Sequence, residues 1–122
     1  METLTMVGNT SLSFGQAIEL VQEGKLVQRA GWNGKEMFVF MRPHDVLMAD
    51  FVIDKVKSLP QSVKDYYKRQ CEKIGYTPDK VEIKFTPYLC MKAADGSIVN
   101  GWLASQTDML AKDWVEVQVV TE

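Results

Sequence analysis

Two apolar segments flank an Asn-Gly pair in residues 25–41, which read KLVQRAGWNGKEMFVFM. The first segment, residues 25–30, alternates loosely between apolar and polar side chains. The second, residues 37–41, is continuously apolar and is followed closely by Pro43. Both patterns are typical of β-strands, and Asn33-Gly34 is the strongest short signal for a hairpin turn. The sequence therefore predicts a β-hairpin with Trp32 at or beside its tip.

An amphipathic helix is predicted immediately upstream of this hairpin. Ser13 can cap the first turn, and Gln16, three residues later, completes a capping box. Apolar side chains then recur at helical spacing from Phe14 to Val21, and Gly24 supplies the stop. Residues 1–12 are predicted to be a polar, poorly patterned lead-in.

Residues 44–86 have a mainly helical character. A helix is predicted from Leu47 to Val56, and a second, amphipathic helix over residues 61–74 is stopped by Gly75. Its Tyr66 and Tyr67 each join a large ring to a hydroxyl, which suits an interface or the rim of a ligand site. Packing of this helix on its own sheet is an equally weighted alternative.

The β pattern returns after this block. Strands are predicted over residues 81–85, 88–94, 97–103 and 114–120. Asp95-Gly96 is predicted as a tight turn, and Ser105 with Asp108 as the capping box of a short helix. Together the elements predict one α+β domain over residues 1–122. It contains an antiparallel sheet of about five strands, an N-terminal helix and a helical insertion between strands at about residues 44–86.

The composition argues against several function classes. The chain has 122 residues, 46% hydrophobic and 25% charged, with a net charge of −2. It lacks the basic surplus expected of a protein that binds nucleic-acid polymers. Its apolar runs are short, so neither a membrane span nor a secretion signal is expected. Cys71 and Cys90 form no C-x-x-C pair and His44 is the single histidine. We therefore expect buried structural thiols, a reducing cytoplasm, no metal and no cofactor.

Enzyme motifs are absent from the sequence. It contains no G-x-S-x-G elbow, H-E-x-x-H, Walker-type loop or G-x-G-x-x-G. Carboxylates are numerous, but none are paired at a spacing that indicates acid–base catalysis. No catalytic residue is predicted, and the sequence indicates a protein that is not an enzyme.

Two tryptophan-bearing segments form the candidate binding site, RAGWNGK at residues 29–35 and GWLASQTDML at residues 101–110. Each places a flat aromatic face beside small residues and uncharged hydrogen-bonding side chains, as a planar, phosphate-carrying small molecule requires. Trp32 could stack on a base, worth about 1–3 kcal/mol, or cover the core, and the two readings are balanced. For Trp102 the core reading is slightly favoured, and Trp114 is most simply a core residue.

A phosphate or carbonyl oxygen could bind at the start of the predicted short helix. The backbone amides of residues 105–107 lie at its N-terminus, and Gln106 and Thr107 add side-chain donors. Asp108 opposes an anion there if it is ionised and uncapped. Arg29 could reach a phosphate with its guanidinium fork, although a surface cation on a strand is the favoured alternative.

Taken in order, these segments resemble a known family. The chain reads SFGQA at residues 13–17, RAGWNGK at 29–35, PYLCMKAADG at 87–96 and WLASQTDMLAKDW at 102–114. This pattern is similar to that of the second family of Thoeris anti-defence proteins of phages. The stretch WLASQTDML is long enough to be highly specific.

The resemblance implies a sponge without enzymatic activity that acts in the cytoplasm of the infected bacterial host. Such proteins sequester the cyclic ADP-ribose isomers made by a TIR-domain enzyme, and some hold cyclic oligonucleotide signals of CBASS defence at a separate site. The family assembles as homotetramers with ligand pockets between protomers. The ligand-binding candidates are Arg29, Trp32, Asn33, Trp102, Ser105, Gln106, Thr107 and Asp108, with Arg29 the weaker candidate for a phosphate contact.

Residues 44–86 depart from the shorter members of the family, which pass almost directly from the strand near Arg42 to the Pro87-Tyr88 segment. The insertion could wall off the pocket, add protomer contacts or create a second ligand surface. Two other functions stay open. One is an enzyme that hydrolyses a cyclic nucleotide signal, and the other is a structural interaction module whose tryptophans are only core and interface.

Overall fold

The computed structural model describes residues 2–8, 10–32 and 35–121. Within them the chain forms eight strands and four helices, an α+β fold as the sequence predicts. In chain order these are β1 (Glu2–Met6), α1 (Phe14–Gln22), β2 (Leu26–Arg29), β3 (Phe38–Arg42), β4 (Asp45–Met48), α2 (Ala49–Lys55), α3 (Gln61–Ile74), β5 (Glu82–Phe85), β6 (Tyr88–Lys92), β7 (Ile98–Asn100), α4 (Gln106–Leu110) and β8 (Trp114–Thr121). Short 3₁₀ turns lie at Ala30–Trp32 and Pro78–Lys80.

The chain divides into two compact units, residues 1–42 with 88–122 and residues 43–87. The first unit contains a six-stranded antiparallel sheet in the order β1-β8-β2-β3-β6-β7. Helix α1 packs on β2, β3 and β8 of this sheet. The assignment of the whole chain to one domain stays a prediction.

The prediction that residues 1–12 lack regular structure is wrong for β1. This strand pairs with the C-terminal half of β8, from Glu2 opposite Thr121 to Met6 opposite Val117. The sheet therefore has six strands where about five were expected. An edge strand of this kind is stabilised by pairing with a distant part of the chain, so its own sequence carries only a weak signal.

The predicted hairpin is confirmed at the level of its strands, because β2 pairs antiparallel with β3 and Val27 lies opposite Val39. Strand β2 ends at Arg29 and β3 begins at Phe38, so the connection spans residues 30–37 and opens with a 3₁₀ turn. Asn33 and Gly34 themselves lie outside the described residues. The Ala30 amide donates to the Asp113 carbonyl, 2.9 Å away, which holds the start of this connection against the residue that precedes β8.

Short sequence signals mark both ends of helix α1. The Ser13 hydroxyl accepts from the Gln16 amide while the Gln16 side chain accepts from the Ser13 amide, a complete capping box at the start of α1. After the helix, Gly24 takes a φ of 87°, in the left-handed region where a Cβ is disfavoured. The hydrophobic core beneath α1 contains Leu12, Ala17, Val21, Val27, Val39, Met91 and Trp114.

The second unit has its own core and a two-stranded antiparallel sheet, β4 with β5. Ala49, Val52, Cys71 and Ile83 are its buried residues. The predicted helix from Leu47 begins later, at Ala49, because Leu47 pairs with Ile83 in the sheet. Helix α3 has the predicted bounds and ends at Gly75, whose φ of 78° permits its amide to close on the Cys71 carbonyl. No helix in the described part of the chain combines the length and apolarity required to cross a membrane.

Candidate functional site

Three tryptophans meet in the first unit. Trp114 is completely buried, with 0% of its surface exposed. The ring of Trp32 lies edge-on to it with centroids 5.4 Å apart, and Trp102 does the same at 6.4 Å. Both outer rings are half-buried and pack against the hydrophobic core. This tryptophan cluster of Trp32, Trp102 and Trp114 therefore brings together the two predicted binding segments, and each outer indole keeps part of its surface accessible.

Trp32 is held through the turn that precedes it. The Gly31 amide donates to Oδ2 of Asp113 across 3.1 Å. A Cβ at position 31 would lie only 3.3 Å from that same oxygen, a contact that forces the carboxylate to shift. Glycine thus lets the Asp113 carboxylate approach the backbone closely, and this contact orients the turn that carries Trp32.

The position of Trp102 is fixed by a backbone hydrogen bond to strand β6. Strand β7 ends at Asn100, and Gly101 follows with a φ of 69°, which non-glycine residues rarely adopt. The change of direction allows the Trp102 amide to donate to the Leu89 carbonyl, 2.8 Å away in β6. The sequence identified Trp102 as a strand residue, but β7 is shorter than predicted and Trp102 lies beyond its end.

Arg29 does not present a free cation. Its Nε donates to Oδ1 of Asp113 at 2.9 Å, and its Nη1 donates to Oδ1 of Asp108 at 3.1 Å. The Arg29 side chain is 20% exposed. With both carboxylates ionised, the three side chains carry a formal charge of −1. This arrangement argues against the predicted phosphate contact, because the guanidinium already serves two anions.

These contacts also shift the pKa values of Arg29 and Asp113. Burial raises the pKa of Asp113, but the hydrogen bonds from Arg29 and the Gly31 amide, with the Arg29 charge, outweigh it. The pKa of this carboxyl therefore lies below its ordinary value. The hydrogen bond to Asp113, opposed by burial, raises the pKa of Arg29 above its ordinary range. Both groups are thus held in their charged forms at neutral pH.

Asp108 connects the short helix to the tryptophan cluster. Its carboxylate accepts from the Ser105 amide at 3.2 Å while its own amide donates to the Ser105 hydroxyl at 3.1 Å, and these two bonds form the predicted capping box. The carboxylate also accepts from the Ser105 hydroxyl at 2.9 Å. Its backbone carbonyl accepts from Nε1 of Trp114 at 2.9 Å. One residue therefore caps α4, pairs with Arg29 and satisfies the indole N–H of the buried tryptophan.

The protein itself occupies part of the predicted anion site at the start of α4. The Ser105 amide is bound to the Asp108 carboxylate, and the Asp108 amide is bound to the Ser105 hydroxyl at 3.1 Å. Gln106 and Thr107 remain exposed and available as side-chain donors. Asn33 lies outside the described residues.

Asp113 and Gly101 lie in the segments singled out from the sequence, but neither was among the candidate site residues. Asp113 organises the Trp32 turn through Gly31 and Arg29, yet in the sequence it is one carboxylate among many, and no local pattern distinguishes it. Gly101 carries a clearer signal, since a glycine between a β pattern and a tryptophan is a recognised sign of a bend.

Other features of the surface fit a nucleotide less well. A groove of about 510 Å³ runs along α1, lined by Leu12, Gln16, Glu19, Leu20, Gln22 and Glu23. Its two carboxylates would repel a phosphate. Among the described residues, no group of three or more His, Cys, Asp or Glu side chains is placed to hold a metal ion.

The fold and the tryptophan cluster define a small α+β protein that displays paired, partly exposed indoles beside a compact charged cluster. Comparison with known proteins assigns it more closely. The sequence model of the Thoeris anti-defense 2-like domain matches residues 12–117, and the chain belongs to this family.

A curated relative supports the assignment. The protein is 35% identical over 105 residues to Thoeris anti-defense 2 of Bacillus phage SP01. The alignment covers 86% of this chain and 93% of the relative. The matched region includes the whole tryptophan cluster, so the predicted resemblance is confirmed.

Proposed function

We propose that the protein is a phage anti-defence sponge that binds a cyclic nucleotide immune signal and sequesters it without degrading it. Cyclic ADP-ribose isomers of Thoeris defence are the first ligand class, and the cyclic oligonucleotides of CBASS defence are the second. The site of action is the cytoplasm of the infected host. The observation that carries the proposal is the packing of Trp32 and Trp102 on one buried tryptophan, within a chain of the Thoeris anti-defense 2-like family.

The energetics of a sponge match this kind of site. Competition with a sensitive effector requires a dissociation constant near nanomolar, which corresponds to about −12 kcal/mol. Two partly exposed indoles can each contribute about 1–3 kcal/mol by stacking on a base. Exposed Gln106 and Thr107 can add hydrogen bonds to ribose or base. Since sequestration requires no bond to break, no catalytic group is needed.

The test is a release assay. The protein is incubated with cyclic ADP-ribose isomers and with cyclic di- and trinucleotides, passed through a desalting column, and then heated to denature it. Intact ligand in the released fraction supports sequestration. Ring-opened product indicates the alternative, a hydrolytic enzyme. If no ligand is retained and the small-molecule fraction from the column contains only intact ligand, both functions fail and a structural interaction module remains.

The proposed assembly is a homotetramer with ligand pockets between protomers. Leu103 is 90% exposed and Leu110 is 77% exposed, and both lie in the segment that carries Trp102 and α4. Covering a leucine side chain contributes about 1.5–3 kcal/mol, so these residues favour an interface beside the candidate site. Light scattering should give the mass of four chains. A monomer that still binds ligand would contradict a pocket shared between protomers.

A further inference from the structure

We propose that Arg29 and Asp113 are positioning residues that set the geometry of the tryptophan cluster for ligand binding, rather than contacts for a ligand phosphate. With Asp108 they form a group that we term the Arg29 clamp. This inference rests on the proposed function, since it states how the same site is preorganised. The inference also implies that only uncharged groups of the ligand contact the tryptophan cluster.

The clamp ties together the two segments that carry the outer tryptophans. Arg29 bridges Asp113, before β8, and Asp108, in α4, through separate nitrogen atoms. Asp113 in turn binds the Gly31 amide next to Trp32. A single guanidinium therefore connects the Trp32 turn to the segment that follows Trp102.

The clamp also reaches the centre of the cluster. The carbonyl of Asp108 accepts from the indole N–H of Trp114, the ring on which both outer tryptophans pack. A shift of Asp108 therefore moves the support beneath Trp32 and Trp102. Guanidinium geometry suits this task, because its planar fork fixes the directions of both carboxylates.

The contacts of Arg29 with Asp108 and Asp113 disfavour a direct contact between Arg29 and a ligand phosphate. A phosphate would have to displace Asp108 or Asp113, and the released carboxylate would lose its charged partner. It would also approach a group with a formal charge of −1. The local electrostatics therefore direct phosphates away from the clamp and leave base or ribose for the tryptophans.

The experiment is a double-mutant cycle with Arg29→Gln, Asp113→Asn and the double variant, with cyclic ADP-ribose as the probe. Calorimetry gives the dissociation constant at low and high salt, at a temperature well below the unfolding midpoint of every variant. Near-ultraviolet circular dichroism without ligand reports the packing of the tryptophans. Lys25→Gln, which breaks the exposed pair with Glu23, is the matched control and should leave all readings unchanged.

For a positioning role, each single substitution should raise the dissociation constant about tenfold. The dissociation constant of the double variant should not exceed that of the weaker-binding single variant. The slope of affinity against salt should stay that of the wild type, and both single variants should change the tryptophan dichroism. A phosphate contact gives another result. Arg29→Gln would then reduce the salt slope, while Asp113→Asn, which removes one of the two carboxylates bound to the guanidinium, would bind as tightly as the wild type or more tightly.

The outcomes separate this inference from the proposed function. If the wild type binds the probe and both single variants bind it equally well, the positioning role is overturned and the sponge stands. If the wild type binds none of the cyclic nucleotides tested, the sponge fails and the positioning role for binding fails with it. An altered dichroism in both variants would then show that the clamp still sets the tryptophan geometry.

Discussion

At the scale of single residues, the three tryptophans differ in the balance between packing and exposure. Trp32→Ala or Trp102→Ala should remove one stacking face and weaken ligand binding by roughly 5- to 150-fold. Because both rings are half-buried, the variants should remain folded. Calorimetry with the released ligand measures the effect. An unchanged affinity in both variants would place the pocket elsewhere.

Trp114 provides the contrast for that prediction. It is fully buried, so Trp114→Ala should cost about 3–5 kcal/mol of unfolding free energy. A loss of binding in that variant reflects loss of the fold or of the ring on which Trp32 and Trp102 pack. The comparison separates the tryptophan that supports the site from the two that face solvent.

Asp113 predicts a specific dependence of stability on acidity. Its pKa in the folded protein lies below its ordinary value, so it stabilises the fold above its unfolded pKa, near about 3.9. That stabilisation is lost as the pH falls through the folded pKa. The stability difference between the wild type and Asp113→Asn should therefore be largest near neutral pH and shrink below about pH 4.

Urea unfolding at several pH values measures this difference. Asp79 and Asp95 also have lowered pKa values, through hydrogen bonds from Thr77 and from Ser97. Both remain in the two proteins, so their contribution cancels in the comparison. A difference that stays constant from neutral to acid pH would contradict the assignment of the effect to Asp113.

At the scale of elements, two equivalent capping boxes allow a matched comparison. Ser13 and Ser105 have the same backbone angles, φ −72° and ψ 165°, and each accepts from the amide three residues later. Ser13→Ala and Ser105→Ala should each cost about 1 kcal/mol of unfolding free energy. Only Ser105→Ala should also weaken ligand binding, because Ser105 holds the carboxylate of Asp108 beside Arg29.

The two variants are compared by urea unfolding and by ligand titration. Equal effects of both substitutions on affinity would indicate that binding follows general stability and not the orientation of α4. If both substitutions lower the unfolding free energy equally and neither changes the ligand affinity, Asp108 does not belong to the site.

At the scale of the whole molecule, residues 43–87 form a compact unit between two strands that pair directly. Arg42 lies opposite Tyr88 in the register of β3 and β6, so a short Gly-Ser link can join the two strands as a hairpin. Replacing residues 43–87 in this way should leave the fold of the first unit intact. We expect the deletion to change oligomer stability or the range of ligands bound.

Light scattering, thermal unfolding and the ligand panel test that expectation. An unfolded product would show that the first unit depends on residues 43–87. Unchanged mass, stability and ligand range would show that the insertion is passive. The exposed side chains of α3, among them Tyr66 and Ile74, are the first positions to substitute if the deletion has an effect.

The elements that could be predicted from the sequence are those with local signals. Helix α1 lies between Ser13 and Gly24 as predicted, and α3 ends at Gly75. Capping and left-handed glycine stops involve residues three or four positions apart, so they can be recognised without knowledge of the fold. The two tryptophan segments could also be recognised from the sequence, through their composition and their resemblance to the family.

The way in which those segments meet depends on the pairing of distant strands. Arg29 and Asp113 are 84 positions apart, and they come together because β2 pairs with β8. That strand order also gives β1 its partner in β8. The free energy of such contacts depends on which distant strands are neighbours, and a local pattern does not carry that information. Arg29, a candidate phosphate ligand by sequence, is therefore found bridging the carboxylates of Asp108 and Asp113.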